Sequence, residues 1–292
     1  MPKRPIAKRV VKPHIAIVGA GSLGSSLALA LHDVGYVIDE IICRETAASV
    51  RKARRLAAQV GASAARLTQA RVRAGVVWFC VPDGAIASAA AALVNTADWR
   101  GKVALHASGA LTSDELAELR SRGATVASVH PLMTFVPGSR PLLAGVPFAI
   151  EGDRKAALAA RSIVLNLRGR PFPIGKRNKR AYHTWGMFVS PLFTSLLAAS
   201  ERVAAVAGIR TGAAKQRALP ILRQTLANYA ALGASYSFSG PIARGDVDTI
   251  EKHLSMLRAI PEARNIYVAL AQAALLDLPG KNRAAMEKIL KE

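Results

Sequence analysis

The chain has 292 residues, of which 51% are hydrophobic and 5% aromatic, with 40 Lys and Arg against 19 Asp and Glu. This length suits two domains, and the low aromatic content argues against an all-β sandwich. The net charge of +21 would attract polyanions, but the basic residues are scattered and form no zinc-finger, RNA-recognition or helix-turn-helix signature. We therefore expect affinity for anionic phosphate ligands rather than a nucleic-acid partner.

Cysteine usage and hydropathy indicate a cytoplasmic protein with no metal site. Cys43 and Cys80 lie far apart in apolar runs and offer neither a disulfide framework nor metal-ligand spacing. The basic tail over 1–13 is followed by no hydrophobic region of a secretory signal. The uncharged stretch 181–200 is long enough to span a membrane, but its Pro191 and its polar side chains favour a helix buried in protein.

Short apolar strands alternate with helices along the first part of the chain. Strands are predicted over 14–18, 37–43, 76–81, 103–106, 126–129, 148–150 and 170–174, and helices over 22–33, 46–60, 86–95, 113–122 and 154–166. This alternation is typical of an α/β fold with a doubly wound parallel sheet. Beyond it, only helices are predicted, over 180–207, 212–232, 246–257, 261–276 and 282–290. We therefore predict a nucleotide domain over 14–175 and an all-helical substrate and dimerisation domain over 176–292.

A glycine-rich loop with the pattern G-x-G-x-x-G follows the first strand and opens the first helix. Gly19 would allow the tight turn, Gly21 would let the backbone approach a pyrophosphate, and Gly24 would let the helix pack on the strand. The N–H groups of Ser22 and Leu23 at the helix start would then face the phosphates. An ordinary strand-to-helix turn is the alternative, but the strand-loop-helix context favours a Rossmann domain that binds a dinucleotide.

The end of the second strand distinguishes the two nicotinamide cofactors. Asp39 and Glu40 come too early to bond the ribose 2′-hydroxyl as an acid does in NAD enzymes. About 20 residues after the glycine loop the chain has Arg44 instead, with Thr46 close behind. Arginine can hold a 2′-phosphate through two parallel hydrogen bonds, which predicts NADP and makes NAD less favoured. The basic positions over 51–55 are equally well explained as a solvated helix face.

Histidines lie at the ends of two predicted strands, His106 as the last residue of 103–106 and His130 directly after 126–129. Ligands of such sheets lie beyond these ends. His106 or His130 could handle a proton during hydride transfer, because imidazole titrates near neutral pH. A histidine at a strand end can equally bond a backbone carbonyl and fix a turn. The other strand-end residues expected to line the cofactor side of the cleft are Val81, Pro82, Asp83 and Ser108.

The helical half offers fewer candidates. Tyr182 and His183 open the long uncharged helix and could face the cleft, although a packing contact at a domain seam is the alternative. Arg244 lies among small residues and could bind an anionic substrate or bond the carbonyls of its own loop. Asp246 is predicted to be the N-cap of the next helix.

The ordered motifs resemble the bacterial family that joins a Rossmann-like domain to a C-terminal domain of unknown function 2520. They lie at 19–24, 81–83, 106–109, 130–135, 147–152, 182–183, 240–246 and 253–254. The resemblance implies an NADP-binding fold similar to pyrroline-5-carboxylate reductase and the 6-phosphogluconate dehydrogenase-like group, with dimerisation through the helical domain. Pro191 departs from the family's Asn and removes an amide donor beside the cleft. The lysine helix of β-hydroxyacid dehydrogenases has no match, so no catalytic lysine is assigned.

The sequence thus predicts an NADP-dependent oxidoreductase that transfers a hydride to or from a small, anionic carbonyl or imine substrate. We expect it to work as a homodimer, without a membrane or nucleic-acid partner. A non-catalytic NADP-binding sensor or protein-interaction module is the alternative, because no complete catalytic set is visible.

Overall fold

A computed structural model describes residues 12–278 and 282–291. They fold as two compact units, one that ends at Met187 and one that begins at Phe188. The boundary between these units lies C-terminal to the domain boundary predicted at 175/176. The predicted assignment of a nucleotide domain and a substrate domain stays a prediction. Most of the basic tail predicted over 1–13 lies outside the described residues.

The first unit is built on an eight-stranded sheet in the order β3-β2-β1-β4-β5-β6-β7-β8. Its strands are β1 (Ile15–Val18), β2 (Ile38–Cys43), β3 (Ser63–Arg66), β4 (Val76–Phe79), β5 (Val103–His106), β6 (Thr125–Pro131), β7 (Pro147–Gly152) and β8 (Arg170–Pro173). The strands β1 to β6 pair in parallel, and every residue of β1, β4 and β5 is buried. Such uninterrupted apolar runs are expected of strands covered on both faces.

Helices cover both faces of this sheet. They are α1 (Ser22–Asp33), α2 (Ala47–Val60), α3 (Ile86–Leu93), α4 (Ala117–Ser121) and α5 (Arg154–Asn166). The core on one face takes side chains from α1, α2 and α5, and the core on the other takes them from α3 and α4. Consecutive residues of β4 pack into opposite cores. Trp78 lies in the core with α1, α2 and α5, and Phe79 lies in the core with α3 and α4. Burying an aromatic ring of this size contributes about 2 to 3 kcal/mol. The predicted doubly wound α/β fold is confirmed.

Three details differ from the predicted elements of this unit. The strand β7 runs antiparallel to β6, and β8 follows β7 in parallel, so the last two strands oppose the first six. The reason is that residues 132–146 contain no helix, and a parallel neighbour requires a crossover connection. The edge strand β3 was not predicted, because it is four residues long, mostly exposed and has no apolar alternation. The predicted helix over 113–122 begins as a 3₁₀ turn before α4.

A further helix, α6 (Lys179–Met187), closes the first unit, and the second unit is entirely helical where the structure describes it. Its helices are α7 (Phe193–Val206), α8 (Thr211–Leu232), α9 (Gly240–Arg244), α10 (Val247–Met256), α11 (Pro261–Asp277) and α12 (Arg283–Ile289). The helix predicted over 180–207 forms as α6 and α7, which a π-helical turn over 188–192 that contains Pro191 joins without a break. Proline lacks an N–H and its ring clashes with the preceding turn.

The short helix α9 lies where a loop was predicted around Arg244. None of the described helices is both long and apolar enough to cross a membrane.

Candidate active site

The three glycines of the loop between β1 and α1 meet three different local demands. Gly19 has φ +107°, and a Cβ atom there would lie 2.5 Å from the carbonyl oxygen of Cys80. A Cβ atom on Gly24 would collide with the carbonyl oxygen of Gly19. Gly21, in contrast, has no atom within 4 Å of its Cβ position. Two glycines are therefore required by the fold, and the third faces open space that a ligand can approach.

The helix α1 starts at this open position. Its N-cap is Gly21, which has no side chain that could bond the first N–H groups of the helix. Ser22 and Leu23 follow in the first turn. The first N–H groups of a helix have no partner within it, and the helix dipole adds positive potential there. No acidic residue lies in this first turn. The loop has the shape and polarity of a phosphate-binding site.

Some side chains directly after β2 are hydrogen-bonded within the protein, and others are free to contact a ligand. Thr46 caps α2, because its hydroxyl accepts a hydrogen bond from the N–H of Ser49 at 3.3 Å. Glu45 accepts the hydroxyl hydrogen bond of Thr68 at 2.9 Å. Arg44 is exposed, and among the described residues it has no ion-pair or side-chain hydrogen-bond partner. Its guanidinium is thus available for a ligand at the end of β2.

His106, the last residue of β5, is fully buried and uses both ring nitrogens within its own turn. Nε2 lies 2.9 Å from the carbonyl oxygen of Thr112, and the N–H of Ser108 lies 3.2 Å from Nδ1. In the tautomer that satisfies both bonds, Nε2 donates and Nδ1 accepts. Burial lowers the pKa of His106 to about 4, so the ring is neutral at physiological pH. This geometry favours the turn-fixing role over proton transfer.

Ser108 and Asp83 tie the ends of two strands together. The Ser108 hydroxyl donates to Oδ2 of Asp83 at 2.8 Å and accepts from the N–H of Leu111 at 2.9 Å. Val81 is half-buried and packs near the glycine loop, whereas Pro82 is exposed just before a 3₁₀ turn. The segment after β4 therefore shapes the cleft through its backbone and this one serine–aspartate bond.

A cluster of aromatic and imidazole rings lies at the end of β6. Nδ1 of His130 is 2.9 Å from the hydroxyl of Tyr182, and the centroid of the His130 ring is 6.2 Å from that of His183. A Cβ atom on Gly109 would lie 2.7 Å from the His183 ring and 2.9 Å from Nε2 of His130. Only glycine lets the loop after β5 approach both imidazoles. Three of the predicted candidates are thus brought together, and His106 is not among them.

Burial sets the protonation of this cluster. Burial, together with the nearby cation of Lys179 and the ring of His183, lowers the pKa of His130 to about 4. Burial also raises the pKa of Tyr182 to about 12. At neutral pH an uncharged imidazole is therefore hydrogen-bonded to a protonated phenol. When the phenol donates to Nδ1, the proton of the imidazole is on Nε2, the atom that faces Gly109.

Lys179 is the site residue that the sequence analysis missed. Its side chain is fully buried, and Nζ donates to the carbonyl oxygen of Ser108 at 2.9 Å and to the hydroxyl of Ser128. Burial lowers the pKa of its ammonium to about 8, an effect opposed by the charges of Glu151 and Asp83. The only signal in the sequence was its place three residues before Tyr182, on the same face of a helix.

The sequence of the chain matches two family models that together span most of its length. A Rossmann-like domain matches residues 2–131, and the domain of unknown function DUF2520 matches residues 146–274. The chain joins a Rossmann-like domain to a DUF2520 domain. The family resemblance that the ordered motifs indicated is confirmed. No protein with a curated description matches the chain.

Solved structures share the fold of this Rossmann–DUF2520 chain over nearly its whole length. BF3122 from Bacteroides fragilis, provisionally named an NADP oxidoreductase, is 22% identical, covers 90% of this chain and 98% of its own, and has a TM-score of 0.77. The imine reductase from Myxococcus stipitatus in complex with NADP+ is 17% identical over 96% and 94%, with a TM-score of 0.60. Pyrroline-5-carboxylate reductase from Coxiella burnetii is 13% identical over 90% and 99%, with a TM-score of 0.57. At these identities the likeness establishes the fold.

The DUF2520 domain also holds the predicted substrate arginine. Arg244 is the last residue of α9 and is exposed. Asp246 caps α10 as predicted, because its carboxylate accepts from the N–H of Thr249 at 3.1 Å. Over the described ranges, no group of His, Cys, Asp and Glu side chains is arranged to hold a metal ion. The role of Arg244 therefore stays a prediction.

The buried state of His106 predicts an acid-sensitive stability. The unfolded histidine has a pKa of about 6.5 and binds a proton as the pH falls, whereas the folded ring stays neutral down to about 4. The stabilising contribution of the neutral His106 ring is thus fully present above pH 6.5 and is lost as the pH falls towards 4. His106 alone should therefore lower the free energy of unfolding by about 2 kcal/mol when the pH falls from 7 to 5.

Urea unfolding at a series of pH values measures this effect. His106→Asn should be less stable than the wild type at pH 7 and should lose less stability on acidification. His32→Asn, at an exposed position of α1, is the matched control and should follow the wild type. Identical pH dependence in the wild type and His106→Asn would contradict the buried neutral imidazole.

Proposed function

We propose that this chain is an NADP-dependent oxidoreductase that transfers a hydride to or from a small, anionic carbonyl or imine compound. The observation that carries the proposal is that one edge of the sheet holds both an open phosphate loop after β1 and, at the end of β6, a neutral His130 bonded to Tyr182. The carboxyl ends of these parallel strands lie at the same edge, where such folds bind their ligands. The names of the structural neighbours, which include an imine reductase bound to NADP+, agree with this chemistry.

The residues present fit a dinucleotide. The open approach at Gly21 and the first turn of α1 suit a pyrophosphate, and the unpartnered guanidinium of Arg44 suits a 2′-phosphate. Once bound, the nicotinamide group supplies or accepts the hydride. No acidic side chain lies in the first turn of α1 to repel the phosphates. Arg44 is therefore the residue on which the preference for NADP over NAD depends.

The chain's own contribution to the reaction is a hydrogen-bond donor of fixed orientation. Tyr182 fixes the His130 ring by binding Nδ1, which leaves Nε2 to donate to a substrate oxygen or nitrogen beside Gly109. A neutral imidazole can polarise a carbonyl in this way without carrying a charge. The cation of Lys179 helps to keep the ring neutral, and its hydrogen bonds hold the Ser108 carbonyl next to Gly109 in place. The ring of His183 also packs against Gly109, beside the ring of His130.

The same protonation states also support a second candidate, a non-catalytic NADP-binding sensor. Neither His106 nor His130 has a pKa near 7, and the ammonium of Lys179, with a pKa of about 8, is fully buried. A sensor needs the phosphate loop but no proton donor. Turnover of any carbonyl or imine compound with NADPH separates the two functions.

Cofactor preference can be measured by calorimetric titration. The wild type should bind NADPH at least about tenfold more tightly than NADH, since a charged bidentate contact contributes about 1.5 to 3 kcal/mol. Arg44→Asp should weaken NADPH binding by more than about tenfold and leave NADH binding within about twofold. Arg122→Asp, at an exposed position after α4, makes the same change in net charge and should alter neither affinity. Equal affinities of the wild type for both cofactors would rule out NADP preference.

His130→Asn tests the catalytic role. A preorganised hydrogen-bond donor contributes about 10²- to 10³-fold, so NADPH oxidation with cyclic imines or 2-oxo acids should slow by that factor while NADPH affinity stays unchanged. Tyr182→Phe should give a smaller loss, because the ring of His130 remains but its orienting bond is removed. If His130→Asn only lowers the melting temperature and folded protein keeps its full turnover, His130 is structural.

We also propose that a second copy of this chain covers helix α8. Leu219, Leu226 and Tyr229 lie on one side of α8, with Ile221 on the other, and the exposure of these side chains runs from 38% to 68%. A helix that exposes apolar residues on two sides suits a two-fold interface that packs α8 against a partner. The family resemblance also implies dimerisation through the helical domain.

Light scattering after size-exclusion chromatography checks this assembly. The wild type should be a dimer at micromolar concentration, and the double variant Ile221→Glu, Leu226→Glu should be a folded monomer. Leu158→Glu replaces an equally exposed leucine on α5 and should leave the dimer intact. A monomeric wild type would disprove the proposed assembly.

A further inference from the structure

A groove runs beside the glycine loop, between helices α1 and α2. Its volume is about 470 Å³, and the loop over 137–140 forms one end of it. Ser22 and Ser26 line it from α1, Lys52 and Arg55 from α2, and Arg140 from the loop. Ser22 also belongs to the first turn of α1, so the groove is continuous with the phosphate loop.

The charge of the groove has one sign. Lys52, Arg55 and Arg140 line it, and no aspartate or glutamate does. Within the part of the chain that the structure describes, none of the three cations forms an ion pair. By contrast, Arg120 is bound to two carboxylates, Asp114 at 3.0 Å and Asp153 at 3.2 Å. Three cations around one concave space, with no acid to balance them, provide a site for an anion.

Serine side chains of α1 also line the groove. Ser26 is 7% exposed, and no side-chain hydrogen bond joins it to another described residue. Its neighbour Ser25 instead donates to the carbonyl oxygen of Ala20 at 3.4 Å. Because Ser26 lines the groove, its hydroxyl can donate a hydrogen bond to a ligand oxygen there.

The loop that carries Arg140 has a defined geometry. Gly138 has φ +82°, a conformation that favours glycine, and the Ser139 hydroxyl donates to the carbonyl oxygen of Val136 at 3.0 Å. The N–H of Val136 returns a bond to the same hydroxyl at 3.3 Å. This closed turn presents Arg140 at the rim of the groove from the side opposite α2.

We propose that the groove between α1 and α2 binds a phosphate group. Lys52, Arg55 and Arg140 supply the positive charge, and Ser26 donates the hydroxyl hydrogen bond that fixes the phosphate. The phosphate belongs either to the bound dinucleotide or to a separate phosphate compound, and both sources use the same contacts. The groove shares Gly21 and Ser22 with the proposed pyrophosphate site, so the dinucleotide source rests on the proposed function, whereas binding of a separate phosphate compound does not.

Calorimetric titration with inorganic phosphate in a phosphate-free buffer tests the site. Phosphate should bind the wild type, and the double variant Lys52→Gln, Arg55→Gln should bind it at least about tenfold more weakly. Ser26→Ala should weaken binding about threefold to tenfold, because one hydrogen bond is lost. The control is Arg51→Gln, Arg54→Gln, which removes two charges from the same helix outside the groove and should stay within about twofold of the wild type.

Two results would overturn the proposal. One is a wild type that does not bind phosphate, and the other is an equal loss of affinity in both double variants, which would reflect net charge alone. A repeat with saturating NADPH identifies the source. Competition assigns the phosphate group to the dinucleotide, whereas simultaneous binding assigns it to a separate compound. If NADPH itself does not bind, the proposed cofactor fails, but the phosphate titration still decides the groove.

Discussion

The buried ammonium of Lys179 holds the candidate site together. Removing a charge from water costs several kcal/mol unless it finds hydrogen bonds, and this ammonium finds them at Ser108, after β5, and at Ser128, within β6. Because Lys179 is the first residue of α6, the same bonds fix the start of that helix on the sheet. Tyr182 follows one turn later and thereby reaches His130. The position of the imidazole cluster thus depends on one cation buried between two strand ends.

The two strand-end histidines show how small differences in contacts separate two roles. Both rings are neutral at physiological pH because burial and the Lys179 cation disfavour a second charge. His106 has both nitrogens bonded inside its turn, whereas His130 has one nitrogen bonded to Tyr182 and the other facing Gly109. A ring with an unused donor can act on a ligand. A ring with none can only maintain its turn.

Local patterns in the sequence predicted most of the first unit. The helices α1 and α5 and the strand β5 lie where they were predicted, because their boundaries are encoded by nearby glycine, cap and apolar positions. The phosphate loop was predicted for the same reason. Lys179 was missed because it stands in a basic run over 176–180 that resembles a solvated helix face, and only contacts with residues far away in the chain bury it. The direction of β7 likewise depends on how a loop folds back, which no local pattern encodes.

The strands β7 and β8, which run opposite to the first six strands, also show that the sequence domains and the structural units have different boundaries. Both strands and α5 lie in the stretch matched by DUF2520, which begins at residue 146, yet they complete the sheet and one core of the first unit. A fragment that ended just before that residue would leave β6 as a bare edge, with unpaired N–H and C=O groups open to pairing with other chains. It would also expose the apolar surface that Ile163 and Val164 of α5 cover. The sequence domain and the compact structural unit therefore have different boundaries, and cutting the chain at the sequence boundary would yield an aggregation-prone half.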